Sequence, residues 1–163
     1  MPVTRAELFA RFSELGLETK TVEHPPVFTV EEAHVHCAGI PGVHCKNLFF
    51  KDAKGTLWLV VVPDHRRLDL KRLPDRIGSN RLSFGRPELL RDVLGVEPGS
   101  VTPFALINDK RNRVNVVLDA WMMRQPVLNY HPLANTATTT IAAQDLLKFI
   151  RACGHEPRIV ELA

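Results

Sequence analysis

The segment between positions 34 and 45 holds the densest cluster of potential metal ligands in the sequence. Its members carry the nitrogen and sulfur donors that suit zinc, and they are His34, His36, Cys37, His44 and Cys45. Their spacing differs from that of the common structural zinc sites, and a helix over 30–37 would direct His34 and His36 to different faces. No downstream ligand pair completes a tetrahedral set. We therefore interpret the histidines as helix-surface residues and the cysteine as a small buried residue, and we predict no metal.

Lys46 is a second candidate because it stands where a turn enters a strongly apolar strand, Asn47-Leu-Phe-Phe50. A lysine at such a margin can direct its ammonium group into a cleft, where it could meet a phosphate or a developing negative charge. The alternative is a surface lysine whose stem covers apolar neighbours while its charge stays in water. From the residues alone, the surface lysine is the preferred interpretation.

Two further segments concentrate polar groups. The loop Gly99-Ser-Val-Thr-Pro103 can present several backbone N–H groups to oxygen atoms of a substrate, although a simple connection fits it equally well. The segment 130–140 combines a histidine, an asparagine and four threonines. It could form the wall of a polar pocket, but composition alone slightly favours an ordinary turn and strand.

Several function classes lack their usual sequence support. The chain contains no GxGxxG, GxxxxGK(S/T) or GxSxG pattern, which weakens Rossmann, P-loop and α/β-hydrolase interpretations. The net charge of +3 is too small to diagnose nucleic-acid binding, but it is compatible with a local basic face. No DNA-recognition motif is readable, so we expect no DNA partner.

Length and composition suit a single domain over 1–163. Three cysteines without a CxxC pair argue against a secreted disulfide framework, so we expect a reduced, cytoplasmic setting. The first residues contain no apolar signal core, and the longest apolar run, 57–63, is far too short to cross a membrane. We therefore expect no membrane partner.

Helices and strands interleave along the chain. Thr4 with Glu7 and Thr29 with Glu32 form capping boxes that start two helices, ending near Gly16 and position 36. Segments 46–51 and 56–62 form a hairpin. Other helices are predicted over 68–73, 87–94, 119–125 and 143–153, and other strands over 19–23, 104–108, 114–118, 128–131, 138–141 and 158–162. This order predicts an α/β (α+β) fold with a mixed, largely antiparallel sheet flanked by helices.

Taken together and in chain order, five segments resemble the free-standing prolyl-tRNA editing proteins of the YbaK-like family, which are related to the editing insertion domain of bacterial prolyl-tRNA synthetases. The matching segments are 24–33, 46–50, 99–103, 114–119 and 131–141. No single motif is decisive, but their joint order is quite specific, and it reverses the preference for an ordinary surface lysine at position 46. The subgroup that the chain resembles most removes alanine from tRNA for proline.

The resemblance implies hydrolysis of a mischarged aminoacyl-tRNA without a metal or organic cofactor. Lys46 would hold the charged 3′ end, and the backbone N–H groups of Gly99, Ser100 and Val101 would stabilise the oxyanion. The expected substrate contacts are Asn47, Phe49, Pro103, His131, Asn135 and Thr138, and the expected tRNA contacts are Lys51 and Arg81. The expected partners are the acceptor end of tRNA for proline and prolyl-tRNA synthetase. The alternatives are a non-catalytic tRNA- or synthetase-binding module, a zinc-dependent hydrolase, and a deacylase of cysteinyl- or seryl-tRNA.

Overall fold

The computed structural model of the protein describes residues 1–37 and 39–162, without the side chains of residues 30, 33 and 34. Its strands are β1 (Thr19–Glu23), β2 (Val43–Asp52), β3 (Leu57–Pro63), β4 (Leu82–Phe84), β5 (Val114–Asp119), β6 (Val127–Tyr130), β7 (Ala137–Ala142) and β8 (Arg158–Val160). Its α-helices are α1 (Arg5–Glu14), α2 (Val30–Cys37), α3 (Leu73–Ile77), α4 (Pro87–Leu94), α5 (Ala120–Met123) and α6 (Ala143–Ala152). A 3₁₀ helix covers Pro103–Asn108.

The described strands form one sheet in the order β1-β7-β6-β2-β3-β5-β8, and β4 pairs with β2 off this path. The pairs β1–β7, β6–β7, β2–β3 and β2–β4 are antiparallel. The pairs β2–β6, β3–β5 and β5–β8 are parallel. The predicted fold class, a mixed and mostly antiparallel sheet with flanking helices, is therefore confirmed.

Local sequence signals explain many of the element boundaries. In α1 the hydroxyl of Thr4 accepts from the Glu7 N–H and the Glu7 carboxylate accepts from the Thr4 N–H, so the predicted capping box is present. At α2 the hydroxyl of Thr29 accepts from the Glu32 N–H, but the Glu32 carboxylate reaches one residue further, to the Phe28 N–H. The predicted hairpin forms as β2 and β3.

Two predicted elements are wrong, and one strand was missed. The helix predicted over 68–73 is absent, because the helix instead starts at Leu73 and takes Pro74 into its first turn, where a missing N–H costs nothing. The strand predicted over 104–108 is a 3₁₀ helix that starts at Pro103 and is capped by the Thr102 hydroxyl. The short strand β4 carries no alternating apolar pattern that could have revealed it.

The sheet is covered on both faces, which explains why every residue of β3 is buried. Leu59 of β3 points to one apolar cluster, which includes the edge-to-face rings of Phe12, Phe104 and Phe149. Val60 points to a second cluster beneath α3. Among the helices of the described residues, none is long and apolar enough to cross a bilayer.

Candidate active-site cleft

A cleft opens beside β2 where this strand changes partners. Val43 and His44 pair in parallel with β6, and from Cys45 onward β2 pairs with β3 on its other side. The next strand on the β6 side of β2 is β4, which pairs only from Phe50. Within the described part of the chain, residues 45–48 therefore have a strand neighbour on one side alone. The cleft in this gap has a volume of about 250 Å³.

The cleft brings together residues that are far apart in the sequence. Its lining comes from the segment before α2, the start of β2, the loop 99–101 and the strands β6 and β7, and consists of Val27, Phe28, Thr29, Cys37, His44, Cys45, Lys46, Asn47, Asp64, Gly99, Val101, Asn129, Tyr130, His131 and Thr138. Of the residues proposed from the sequence, Lys46, Asn47, Gly99, Val101, His131 and Thr138 are thus gathered in one place.

Lys46 contributes a positive charge to the cleft. It lies opposite Val62 in the β2–β3 ladder and is half-buried. No ion pair of Lys46 is found among the described side chains, although Asp64 lines the same cleft. An ammonium group carries three donors and can hold a phosphate or a carbonyl oxygen that gains negative charge.

Asn47 contributes a buried acceptor to the same lining. Its Oδ1 atom is inaccessible to solvent and has no hydrogen-bond partner among the described residues. A buried polar atom without a partner costs roughly 1–3 kcal/mol. A donor group on a ligand, such as an ammonium group, would remove this cost.

The loop before the 3₁₀ helix contributes Gly99 and Val101 to the cleft lining. Gly99 has a φ of +88°, a left-handed conformation that favours glycine. The Ser100 N–H donates to the Glu97 carbonyl at 3.0 Å, and its side chain is buried away from the cleft lining. The Ser100 N–H is therefore already engaged, and the candidate oxyanion donors are reduced to the N–H groups of Gly99 and Val101.

His131 presents an acceptor nitrogen. Its Nδ1–H donates to the Ala137 carbonyl at 2.9 Å, which leaves Nε2 as the ring's acceptor in the neutral form. Burial lowers the pKa of His131 below its ordinary 6.5, against the opposing effect of the Ala137 bond, and the charges of His24 and His44 lower it further. The ring is therefore neutral at neutral pH.

Thr138 ties the cleft wall to α2. His24 Nδ1–H donates to the Pro25 carbonyl at 2.8 Å, and its Nε2 shares a 2.8 Å hydrogen bond with the Thr138 hydroxyl. The Cys37 thiol lies 3.7 Å from the same Thr138 Oγ1. These bonds fix the hydroxyl that borders the cleft.

The floor of the cleft holds sulfur and phenol groups that stay uncharged. The Cys45 thiol and the Tyr130 hydroxyl both contact Met122 Sδ, at 3.5 and 3.3 Å. Burial raises the pKa of Cys45 to about 12 and that of Tyr130 well above its usual 10. Because the thiolate is the reactive form of cysteine, Cys45 is not equipped to act as a nucleophile at neutral pH.

Three residues expected to contact substrate lie outside the cleft lining. Phe49 is 5% exposed in the apolar core, and its ring packs against Gly85. Pro103 is buried as the first residue of the 3₁₀ helix. Asn135 is buried and donates from Nδ2 to the Val27 carbonyl at 2.8 Å. They are engaged in packing or structural hydrogen bonds, and their direct contact with substrate stays a prediction.

The two expected tRNA contacts share another surface. Lys51 lies on β2 opposite Ser83 of β4, and Arg81 directly precedes β4. Both are exposed. Lys51 follows Lys46 by five residues on β2, which is about 17 Å along an extended strand. The structure thus places these cations beside one another and away from the cleft.

The cluster of potential zinc ligands does not converge where the structure describes it. Side chain 34 lies outside the description, His36 is exposed, and His44 Nε2 bonds to the Ile40 carbonyl at 3.1 Å. No group of three or more metal-binding side chains occurs among the described residues. Cys37, Cys45 and Cys153 are free cysteines.

Several cleft residues were not predicted from the sequence. Asp64 directly follows β3 and continues its ladder, with its N–H donating to the His44 carbonyl at 2.9 Å. An acidic residue at the end of a fully buried strand was the available signal. Asn129 and Tyr130 end β6; Tyr130 was included in the segment 130–140, but neither residue was proposed as a site residue. Phe28 was visible only as part of the 24–33 segment.

This cleft combines an unpaired ammonium group, two loop N–H groups and a neutral imidazole, with an uncharged thiol. Such an arrangement suits an enzyme of the class that positions water and stabilises an oxyanion rather than forming a covalent intermediate. Residues 24–149 match the model of the aminoacyl-tRNA editing domain family.

Individual relatives are similar over nearly the whole chain. "Prolyl-tRNA synthetase associated domain-containing protein 1" from Danio rerio is 40% identical, over 96% of this chain and 86% of its own length. "Prolyl-tRNA editing protein ProX" from Acetoanaerobium sticklandii is 36% identical over 95% of both chains. A solved structure described as a candidate trans-editing enzyme for prolyl-tRNA synthetase has a TM-score of 0.73 at 23% identity and covers 100% of both chains, which shows the shared fold.

The chain therefore belongs to the aminoacyl-tRNA editing domain family, and its enzyme class is aminoacyl-tRNA deacylase. The resemblance inferred from the sequence is confirmed at this level. The alanine-specific subgroup stays a prediction.

Proposed function

We propose that this protein hydrolyses alanine from mischarged tRNA for proline, acting in trans on the ester at the tRNA 3′ end. The observation that carries the proposal is the unpaired Lys46 ammonium group in the same small cleft as the loop N–H groups of Gly99 and Val101. The names of the Acetoanaerobium and Danio relatives support prolyl-tRNA as the tRNA class.

In the proposed reaction, water adds to the ester carbonyl and the carbonyl oxygen becomes an oxyanion. The N–H groups of Gly99 and Val101 donate to that oxyanion, and Lys46 holds the charged 3′ end and adds electrostatic stabilisation. Collapse of the intermediate breaks the bond between the acyl carbon and the ribose oxygen. The ribose oxygen takes a proton, and alanine and the free tRNA 3′ end are released. We infer that a neighbouring ribose hydroxyl of the substrate assists the water. Because of this assistance, the protein need not supply a nucleophile–base pair.

The α-ammonium group of the amino acid has suitable acceptors in the same cleft. Asn47 Oδ1 is buried without a partner, and Nε2 is the acceptor nitrogen of neutral His131. A donor group of the substrate would satisfy both. This assigns Asn47 and His131 to orientation of the amino acid rather than to proton transfer.

The proposed basis of selectivity is size, in a cleft of about 250 Å³. A synthetase site gains only about 1–3 kcal/mol from each methylene, so it cannot fully reject alanine in favour of proline. A second site that admits alanine and excludes the larger proline ring corrects the error.

The test is deacylation of purified alanyl-, prolyl-, cysteinyl- and seryl-tRNA for proline by the wild type, Lys46→Ala and Lys148→Ala. Lys148 is an exposed lysine of α6 that does not line the cleft, and it controls for loss of a positive charge. We expect alanyl-tRNA to be preferred and Lys46→Ala to lower kcat/KM by about 10²–10³, as removal of one oxyanion donor does. Unchanged hydrolysis by Lys46→Ala would remove Lys46 from the mechanism. Preference for the cysteinyl or seryl ester would overturn the alanine assignment.

A further inference from the structure

Phe28 is an exposed aromatic residue at the mouth of the cleft. Its side chain lines the cleft and is 69% exposed, whereas the preceding Val27 is only 4% exposed. A single exposed apolar residue on a protein surface needs no special explanation. The position of Phe28 beside a cleft that holds unpaired donor and acceptor groups, however, requires an explanation.

The backbone that carries this ring is anchored on both sides. Asn135 Nδ2 donates to the Val27 carbonyl at 2.8 Å, and the Val27 N–H donates to the Asn135 carbonyl at 3.4 Å. The Phe28 N–H donates to the Glu32 carboxylate at 3.4 Å. A ring presented from a tethered backbone loses less freedom when a ligand covers it.

The ring edge lies over the loop that supplies the candidate oxyanion donors. A methyl group built on Gly99 would lie 3.4 Å from Cδ1 of Phe28, so only the missing side chain of this glycine separates the two. In aminoacyl-tRNA the ester is carried by the ribose of the terminal adenosine. With the ester carbonyl at this loop, the base would leave the cleft through its mouth, where the exposed Phe28 ring borders the loop.

We propose that Phe28 is the platform on which the terminal adenine of the aminoacyl-tRNA stacks. This inference rests on the proposed function and adds a residue that positions the ester through its base. Stacking on an aromatic face requires no hydrogen-bond reading of the base, since every base has a π-face. The platform therefore holds the nucleoside, while the cleft selects the amino acid.

The experiment compares two alanine esters, one with a base and one without. The substrates are 3′-O-alanyl adenosine and the alanyl ester of glycerol, and the variants are Phe28→Ala, Phe28→Trp and the control Phe84→Ala. Phe84 is also an exposed phenylalanine, at 59%, but it stacks on Phe50 and does not line the cleft.

We expect Phe28→Ala to raise KM for alanyl adenosine by about 5- to 150-fold, the equivalent of about 1–3 kcal/mol per stacked base. Its kcat should change little, and hydrolysis of the glycerol ester should be unaffected. Phe28→Trp should retain the low KM, and Phe84→Ala should behave as the wild type. An equal loss on both esters, or no loss on either, would overturn the platform. Loss confined to assays containing prolyl-tRNA synthetase would instead make Phe28 a protein-docking residue.

Binding of the trinucleotide CCA separates this inference from the proposed function. Its affinity should fall in Phe28→Ala by the same factor and stay unchanged in Phe84→Ala. If the wild type hydrolysed no aminoacyl ester but bound CCA through Phe28, the proposed function would fail and the platform would stand. If the wild type hydrolysed alanyl-tRNA while Phe28→Ala bound CCA normally, only the platform would fail.

Discussion

Replacement of Gly99 by alanine should separate the role of the 99–101 loop in catalysis from its role in folding. Gly99 has a φ of +88°, and an alanine in this left-handed region costs about 1–2 kcal/mol. The added methyl group itself finds room, at 3.4 Å from Phe28 Cδ1 and 3.7 Å from Asn135 Nδ2. Because the free energy of unfolding of a domain is roughly 5–15 kcal/mol, the variant should still fold.

The strain should act on the two N–H groups proposed as oxyanion donors. We expect an alanine at position 99 to relax by rotating its backbone, which would displace the N–H groups of Gly99 and Val101 from the orientation proposed for them. Misplacing one donor should lower kcat by about 10²–10³. KM should change little, because the oxyanion exists only in the transition state.

Gly55→Ala provides the matched control. Gly55 lies in the β2–β3 hairpin turn with a φ of +84°, and a methyl group there meets nothing within 4 Å. Both variants should therefore lose similar stability in urea denaturation, while only Gly99→Ala loses hydrolysis of alanyl-tRNA. Equal activity of the two variants would refute the assignment of the loop N–H groups to the oxyanion.

Two further predictions concern pH. Because burial holds the pKa of His131 below 6.5, kcat/KM should stay level as pH falls through 6.5 and decline only when the ring gains its proton. In deacylation assays between about pH 5 and 8, His131→Gln should lack this decline. The same profile in the variant and the wild type would exclude a role of the His131 ring in the reaction. The pKa of Asp52 is lowered because the bonds from Trp58, Thr56, Lys54 and Asn80 outweigh its burial. Its stabilisation should be complete above 3.8 and be lost as pH falls through the lower native pKa, and Asp52→Ala should lower the free energy of unfolding by about 1–3 kcal/mol at neutral pH. Equal urea midpoints for Asp52→Ala and the wild type would contradict this loss of stability.

Much of the fold could be predicted because its signals are local. The capping box at Thr4, the helix Pro87–Leu94 and the β2–β3 hairpin each depend on neighbouring residues. The 3₁₀ helix Pro103–Asn108 was mistaken for a strand because its apolar residues are buried by tertiary contacts and show neither helical nor strand periodicity decisively.

The site was predictable in part for a related reason. Lys46 stood out at a turn-to-strand boundary, and the family resemblance connected it with the 99–103 and 131–141 segments. The absence of Phe49 from the cleft lining could not be predicted, because its side chain belongs to the core only once β4 and Gly85 cover it. Asp64 enters the cleft through a ladder with His44, a long-range pairing that no local pattern encodes.

The position of the cleft follows from the missing strand neighbour of β2. Successive side chains of a strand alternate between the faces of its sheet, so Lys46 and Asn47 leave β2 on opposite faces. Both nevertheless line the cleft, because residues 45–48 border a gap between β6 and β4. The gap in strand pairing therefore lets side chains from both faces of β2 line one cleft.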